Sequence, residues 1–281
     1  MRKSIFDIAS SSVNMTNEVG RIVVMLQEEK NMTHTMYYSI LDFVDRFCFK
    51  SWSRRGHFVD VDDFLDAVEY KEIQEEAKQG DADAFMMLIE LTYNFWLMAY
   101  NSMLDKTKGN YWTGNFFHLR DVMLDNLEKY NHKAYFNEDY VLIVEDKPEV
   151  TAVAEIVKQD LAMDIIRYNH RSLQGELALK KGILLSLGAE LEPRRKELQA
   201  LNKQLCEDIF FMLNNLHIRH NNRSKRDTNY KEYIAKMRNE RLEKWYDELY
   251  QMMLLAFLLL DNVERTSQVK ELKNKIVGGS N

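Results

Sequence analysis

The chain has 281 residues, of which 46% are hydrophobic and 29% charged, and its formal net charge is -6. This composition, with 14 Phe, 14 Tyr and 4 Trp, argues against disorder over most of the chain. The acidic balance argues against a protein that binds nucleic acid over its whole surface, because such proteins carry a basic excess. Only a local basic patch could serve that role.

Residues that break helices are scarce, with two Pro and ten Gly in the whole chain. So few breakers predict long helices and an all-α fold. We expect two helical subdomains, of which the C-terminal one is a bundle of long antiparallel helices. Cys48 and Cys206 lie within apolar helical patterns, and we predict that both are buried free thiols.

No segment has the pattern of a signal peptide or of a membrane span. The N-terminal stretch has no continuous apolar core, and the longest apolar run, 252–260, has nine residues. A bilayer span needs about 20. We therefore expect a cytoplasmic protein that has no membrane partner, and two cysteines without a disulfide framework fit a reducing compartment.

Hydrophobic spacings of three and four residues predict an N-terminal helical domain over residues 1–131. The predicted helices are 15–29, 33–50, 62–80, 81–106 and 115–130. The helix at 81–106 is apolar nearly all round, so we expect it to be the central helix of this half.

The segment 132–148 has no helical period and is predicted to be a linker between the two halves. Within it, Tyr140 to Val144 form a β-branched run that favours one short extended segment. No convincing partner strand is evident in the sequence.

The C-terminal half, 149–281, is predicted to be a bundle of long helices. The predicted helices are Val150 to about Leu187, about 193 to 216 and about 230 to 262, followed by a short tail helix. Gly188 is expected to end the first of them, and Pro193 to open the second.

The sequence contains no Gly-rich phosphate loop, GxSxG, HExxH, Cys-rich zinc pattern or EF-hand loop, and we predict no cofactor and no metal. The stretch 217–226 stands out because six of its ten residues are basic in type, opposite in sign to the chain. Its candidate residues for binding RNA phosphates are His217, Asn221, Asn222, Arg223, Lys225 and Arg226, beside Arg219 and His220. The alternative is a solvated loop between two helices.

A second basic segment resembles the first, since IRYNHRS at 166–172 and IRHNNRS at 218–224 agree at five of seven positions. If the long helices fold back near residue 190, the two segments lie within about 6 Å of each other along the hairpin axis. The residues that would then join the loop in one phosphate-binding pocket are Arg167, His170 and Arg171. The alternative is that they pair with neighbouring acids.

A helical bundle with an Arg, a polar residue and a His after a long helix resembles the HEPN superfamily, here over about residues 150–262. The resemblance implies an all-α, often homodimeric protein that is associated with RNA in a toxin or abortive-infection system. Many members are metal-independent ribonucleases. By this resemblance Arg219 is the motif Arg and Asn221 lies near its polar partner, but the motif His falls at 224–226, which hold Ser, Lys and Arg.

No residue therefore matches the motif His, and His220 is the candidate proton donor beside Arg219. This departure from the motif leaves open that the protein is a non-catalytic member of the superfamily. A different hypothesis is a regulatory or protein–protein interaction protein, whose partner is a second copy or another protein. On a helix, the HxxH spacing of His217 and His220 would place both on one face, but two ligands do not make a metal site.

Overall fold

A computed structural model describes residues 14–28, 30, 37–104, 112–137 and 139–278. Over these residues the chain is mostly helical and contains one small sheet of two antiparallel strands. The expectation of a helical fold is confirmed at this level, with the sheet as an exception. The chain divides into two compact units, Met1–Glu145 and Asp146–Asn281, which we describe one at a time.

The first unit is built mainly from helices whose ends are fixed by polar side chains. Asn14, Ser39 and Asp60 each accept a hydrogen bond from a backbone N–H in the first turn of the helix that follows. The predicted start of a helix at 33 lies outside the described residues. The helices are α1 (Met15–Val23, continued by a π-helical turn at Val24–Glu28), α2 (Ile40–Phe47), α3 (Val61–Ala67), α4 (Tyr70–Lys78), α5 (Ala82–Leu104) and α6 (Gly114–Lys129).

Helix α5 lies at the centre of the first unit and packs against α1, α2, α4 and α6. Its aromatic side chains Phe85, Tyr93, Phe95 and Trp96 are buried. The Trp96 indole N–H donates to the Phe116 carbonyl at 2.9 Å, and the two rings stack with centroids 4.9 Å apart. Most of its apolar side chains are buried or partly buried, with Met87 as an exposed exception, so packing explains most of the apolar surface of this helix.

The segment predicted to hold a lone extended run forms a β-hairpin, so the expectation of a strand without a partner was wrong. Strand β1 (His132–Asn137) pairs with β2 (Tyr140–Glu145), with His132 opposite Glu145. The outer edge of β2 is satisfied by side chains of α5. Asn94 exchanges hydrogen bonds with the N–H and C=O of Val141, and Glu90 accepts from the Ile143 N–H at 2.8 Å. These contacts let so small a sheet persist.

Between residues 148 and 235 the second unit has shorter helices than the sequence predicted, whereas its last helix continues to Gly278, past the predicted end at about 262, and includes the segment predicted to be a separate tail helix. The helices are α7 (Pro148–Ala154), α8 (Gln159–Tyr168), α9 (Leu177–Leu191), α10 (Arg195–Leu201), α11 (Lys203–Asn215), α12 (Glu232–Ala235) and α13 (Asn239–Gly278). The single helix predicted from Val150 to Leu187 was wrong. Lys158 and His170 have extended backbones, and Gly175 has a φ of +78°, so the helix is interrupted between its parts.

The helix predicted at 193–216 is also interrupted, at Asn202. This residue has extended φ and ψ, and its side chain accepts the Leu205 N–H at 3.0 Å as the N-cap of α11. Helices α10 and α11 pack against each other, so the chain folds back at Asn202 rather than near residue 190. Leu213 of α11 consequently lies against Gly188 of α9.

Helix α13 is the longest element of the second unit and packs against α7, α9, α10 and α11. It buries a face up to Leu260, after which its side chains are largely exposed. The part of the chain that the structure describes contains no helix with the length and apolar composition needed to cross a membrane.

Candidate nucleic-acid interface

The basic loop between α11 and α12 is organised by Asn222, whose side chain is fully buried. Its Oδ1 accepts the His217 N–H at 2.7 Å, and its Nδ2 donates to the carbonyls of Asn214 and Asn229 at 3.2 and 2.8 Å. His217 has a φ of +63°, which is uncommon for a residue with a Cβ. Asn222 therefore has a structural role in the loop rather than the exposed ligand-binding role that the sequence predicted.

Arg219 is held by an ion pair and an aromatic ring. Its Nη2 lies 2.6 Å from Glu192 Oε2, and its guanidinium carbon lies 5.4 Å from the centroid of the Phe210 ring. The carboxylate of Glu192 offsets part of the positive charge of Arg219, and it is shared with Arg195, whose Nη1 lies 3.5 Å from Glu192 Oε1.

Arg223 links the loop to the start of α13. Its Nη2 donates to the Met237 carbonyl at 2.6 Å, its Nη1 to Asn239 Oδ1 at 2.9 Å and its Nε to the Ile234 carbonyl at 3.4 Å. Carbonyl groups do not neutralise a guanidinium, so Arg223 contributes positive charge while it anchors the loop.

The remaining predicted residues of this loop differ in exposure. Burial lowers the pKa of His217, and the charges of Lys181 and Arg223 lower it further. His220, Asn221, Lys225 and Arg226 are exposed. The loop thus exposes several polar or cationic side chains, whereas the imidazole of His217 is partly buried and its lowered pKa favours the neutral form.

The segment containing Arg167, His170 and Arg171 has other surroundings. Arg167 is exposed at the end of α8, and Arg171 is partly buried. His170 is only 7% exposed, and its Nδ1 accepts the Ser172 N–H at 3.3 Å. His170 lines a cavity of about 250 Å³ together with Lys180 and Asp247. None of residues 217–226, all of which the structure describes, lines that cavity.

The predicted pairing of the two basic segments depended on a fold-back near residue 190, and the turn at Asn202 removes that premise. The recorded contacts of the two segments differ accordingly. Arg219 lies beside the C-terminal end of α9, at Gly188 and Glu192. His170 lines a cavity beside Lys180, near the N-terminal end of the same helix.

A buried lysine cluster lies beside His170, and no pattern in the sequence predicted it. Lys180 Nζ lies 2.8 Å from Glu243 Oε1 and 2.7 Å from Asp247 Oδ1, and the Tyr168 hydroxyl donates to Asp247 Oδ1 at 3.0 Å. Burial raises the pKa of Tyr168, and the carboxylate of Asp247 raises it further. Burial alone would raise the pKa of Glu243, but hydrogen bonds from Lys180 and the Gly175 N–H lower it overall. The cluster joins α8, α9 and α13.

A basic groove, which was not among the sites predicted from the sequence, lies at the start of α13. Its volume is about 780 Å³, and its charged lining residues are Lys236, Arg238, Arg241 and Lys244, with Glu240 as the acid. Lys236 is paired with Glu232, whose Oε1 lies 2.6 Å from its Nζ. Arg223 reaches Met237, which also lines the groove, so the basic loop and the groove are connected. We call this surface the basic groove. Its signal in the sequence is the interspersed Lys, Arg and aromatic residues of 230–245.

An apolar groove of about 440 Å³ adjoins the basic groove and shares Tyr233 and Met237 with it. Three aromatic residues with exposed surface line it: Phe211 is 64% exposed, Tyr233 63% and Trp245 41%. We call this surface the aromatic groove. Trp245 also lines a shallow depression with Arg241, Lys244 and Glu248, so cations lie next to rings along this surface of the unit.

Comparisons with known proteins identify no family to which the chain is similar. No protein-family model, no curated protein and no solved structure matches the chain. Among the described residues, no group of three or more His, Cys, Asp or Glu side chains is arranged to hold a metal ion. The geometry of the two grooves is therefore the basis for assigning a function.

Proposed function

We propose that this protein is an RNA-associated helical protein that binds the RNA backbone along the basic groove. The single observation that carries this proposal is the concentration of Lys236, Arg238, Arg241 and Lys244 around one groove, in a chain whose net charge is -6. Phosphate neutralised by Lys and Arg releases counterions, and that release drives association.

The basic loop supports the proposal in a modified form. Arg219 and Asn222 hold the loop in shape, while Arg223 joins it to the groove. The exposed residues His220, Asn221, Lys225 and Arg226 remain the predicted phosphate contacts of the loop. Arg167 and Arg171 are proposed as secondary contacts only.

The proposal keeps the resemblance to the HEPN superfamily. By that resemblance the protein is an RNA-associated member of a toxin or abortive-infection system. It is also proposed to be cytoplasmic and homodimeric, with a second unit that is a helical bundle around α13. The ion pair of Arg219 with Glu192 favours binding over cleavage, because a carboxylate at 2.6 Å opposes a developing negative charge at the same guanidinium. A metal-independent ribonuclease reaction at Arg219 and His220 is the catalytic version of the proposal.

The test is fluorescence anisotropy of a 5′-labelled RNA with the full chain, in EDTA and over a salt series. We expect affinity to fall steeply with salt, and the double variant Arg241→Glu, Lys244→Glu to bind at least about tenfold more weakly than wild type. The matched control reverses two exposed lysines of the first unit, Lys50→Glu and Lys71→Glu, and changes the net charge equally.

An equal loss in both double variants would show that net charge, rather than the groove, controls binding, and would contradict the proposal. No salt-sensitive binding by the wild type would do the same. The RNA recovered from the assay is also run on a denaturing gel. Cleavage that disappears in His220→Ala would establish the catalytic version.

A protein partner is the second candidate function, and the exposed rings of the aromatic groove favour it. Phe211, Tyr233 and Trp245 would fit the apolar face of a partner helix. Protein association without RNA binding, lost on Trp245→Ala, would support this reading.

A further inference from the structure

Three aromatic rings with large exposed surfaces converge on the aromatic groove from three different helices. Phe211 comes from α11, Tyr233 from α12 and Trp245 from α13. Single exposed apolar residues need no explanation, but a contiguous set around one groove marks an interaction site. Binding of phosphates by the neighbouring cations would therefore not account for the exposure of these three rings.

Positive charge lies beside these rings, where two cations, Arg241 and Lys244, and one acid, Glu248, line the same depression as Trp245. The Arg241 guanidinium carbon is 5.9 Å from the centroid of the Tyr233 ring, and Arg241 and Lys244 line the depression that Trp245 also lines. A fitting ligand carries flat apolar groups and negative charges in alternation at short spacing. A single-stranded polynucleotide has this chemistry, because each nucleotide pairs one base with one phosphate.

We propose that unpaired RNA bases occupy the aromatic groove, stacked on Tyr233 and Trp245, while the adjoining phosphates lie along the basic groove. This inference rests on the proposed RNA-binding function and adds a substrate class to it: single strands in preference to duplexes. A duplex keeps its bases stacked inside and offers this surface only phosphates and sugars, so it gains nothing from the rings.

The experiment compares one labelled RNA as a single strand and as a duplex with its complement, using the full chain at fixed salt. The variants are Tyr233→Leu and Trp245→Leu, because leucine keeps the apolar surface but removes the π face on which a base stacks. The matched control is Tyr37→Leu, which changes a tyrosine of the first unit that is 76% exposed. Circular dichroism of each variant verifies its folding.

We expect the single strand to bind about tenfold more tightly than the duplex, and each groove variant to lose about tenfold in single-strand affinity. Duplex affinity should change by less than about twofold, and Tyr37→Leu should change neither. Binding of poly-L-glutamate as strong as that of the single strand would overturn the inference, because this polymer has charge without bases and resembles an acidic protein partner.

Failure of the inference is distinguishable from failure of the proposed function. If single strand and duplex bind equally and the leucine variants bind like wild type, while Arg241→Glu, Lys244→Glu still weakens binding, base stacking is excluded and the basic groove stands. If no RNA binds the wild type in a salt-sensitive manner, the proposed function fails, and the inference fails with it.

Discussion

Asn222 is the residue on which the geometry of the basic loop depends, because it makes three side-chain hydrogen bonds while fully buried. We expect Asn222→Ala to lower the free energy of unfolding by about 2–3 kcal/mol, since each such bond contributes about 1 kcal/mol and its partners are left unsatisfied. Urea denaturation followed by circular dichroism measures the change.

Asn221→Ala is the matched control, because Asn221 lies next to Asn222 and carries the same amide group on an exposed side chain. We expect this substitution to change stability by less than about 0.5 kcal/mol. Equal losses from the two substitutions would contradict the role assigned to Asn222.

At the scale of single residues, the sequence indicated which residue types could form a site but not which partners each side chain would contact. The basic character of 217–226 was evident, yet the binding of Arg219 to Glu192 joins residues 27 positions apart. The lysine cluster was invisible for the same reason, since Lys180 and Asp247 lie 67 positions apart. Spacing arguments reach one or two helical turns, and these contacts depend on how helices meet.

Helix α9 contains two glycines with opposite surroundings, and they test how α9 packs on α11. A Cβ at Gly182 would meet nothing within 4 Å, whereas a Cβ at Gly188 would lie 2.9 Å from Leu213 Cδ1 and 3.5 Å from Arg219 Nη2. We expect Gly182→Ala to stabilise the protein by about 0.5–1 kcal/mol through lower backbone entropy in the unfolded chain.

Gly188→Ala should instead destabilise by about 1–2 kcal/mol, because Leu213 must shift in a packed interface. Both variants are compared with wild type by urea denaturation. A stabilising Gly188→Ala would mean that α11 does not lie against α9 as described.

The elements themselves were predicted better than their ends. Apolar periodicity located helical segments in both halves, but interruptions such as Asn202 contain neither Pro nor Gly and are set by a side-chain cap. The β-hairpin escaped prediction because its first strand, HKAYFN, contains no β-branched residue, and because the outer edge of β2 is completed by Asn94 and Glu90 of a helix. Local composition carries no signal of such tertiary completion.

The whole molecule consists of two compact units, and each contains its own buried residues. The hydrophobic cluster of the first unit extends from Val19 to Ile143, within Met1–Glu145. The second unit buries residues of α9, α11 and α13, among them Leu187, Phe210 and Leu249. A unit with its own core can fold alone.

We therefore expect fragments 1–145 and 146–281 to unfold cooperatively when each is made separately, as measured by circular dichroism in urea. Intrinsic fluorescence adds a local signal, because Trp245 is the tryptophan of the second unit and Trp52, Trp96 and Trp112 belong to the first. Residues 233–245 of both grooves lie in the second fragment, so it should keep the salt-sensitive RNA binding of the full chain. A second fragment that folds but does not bind would show that the first unit supplies part of the surface.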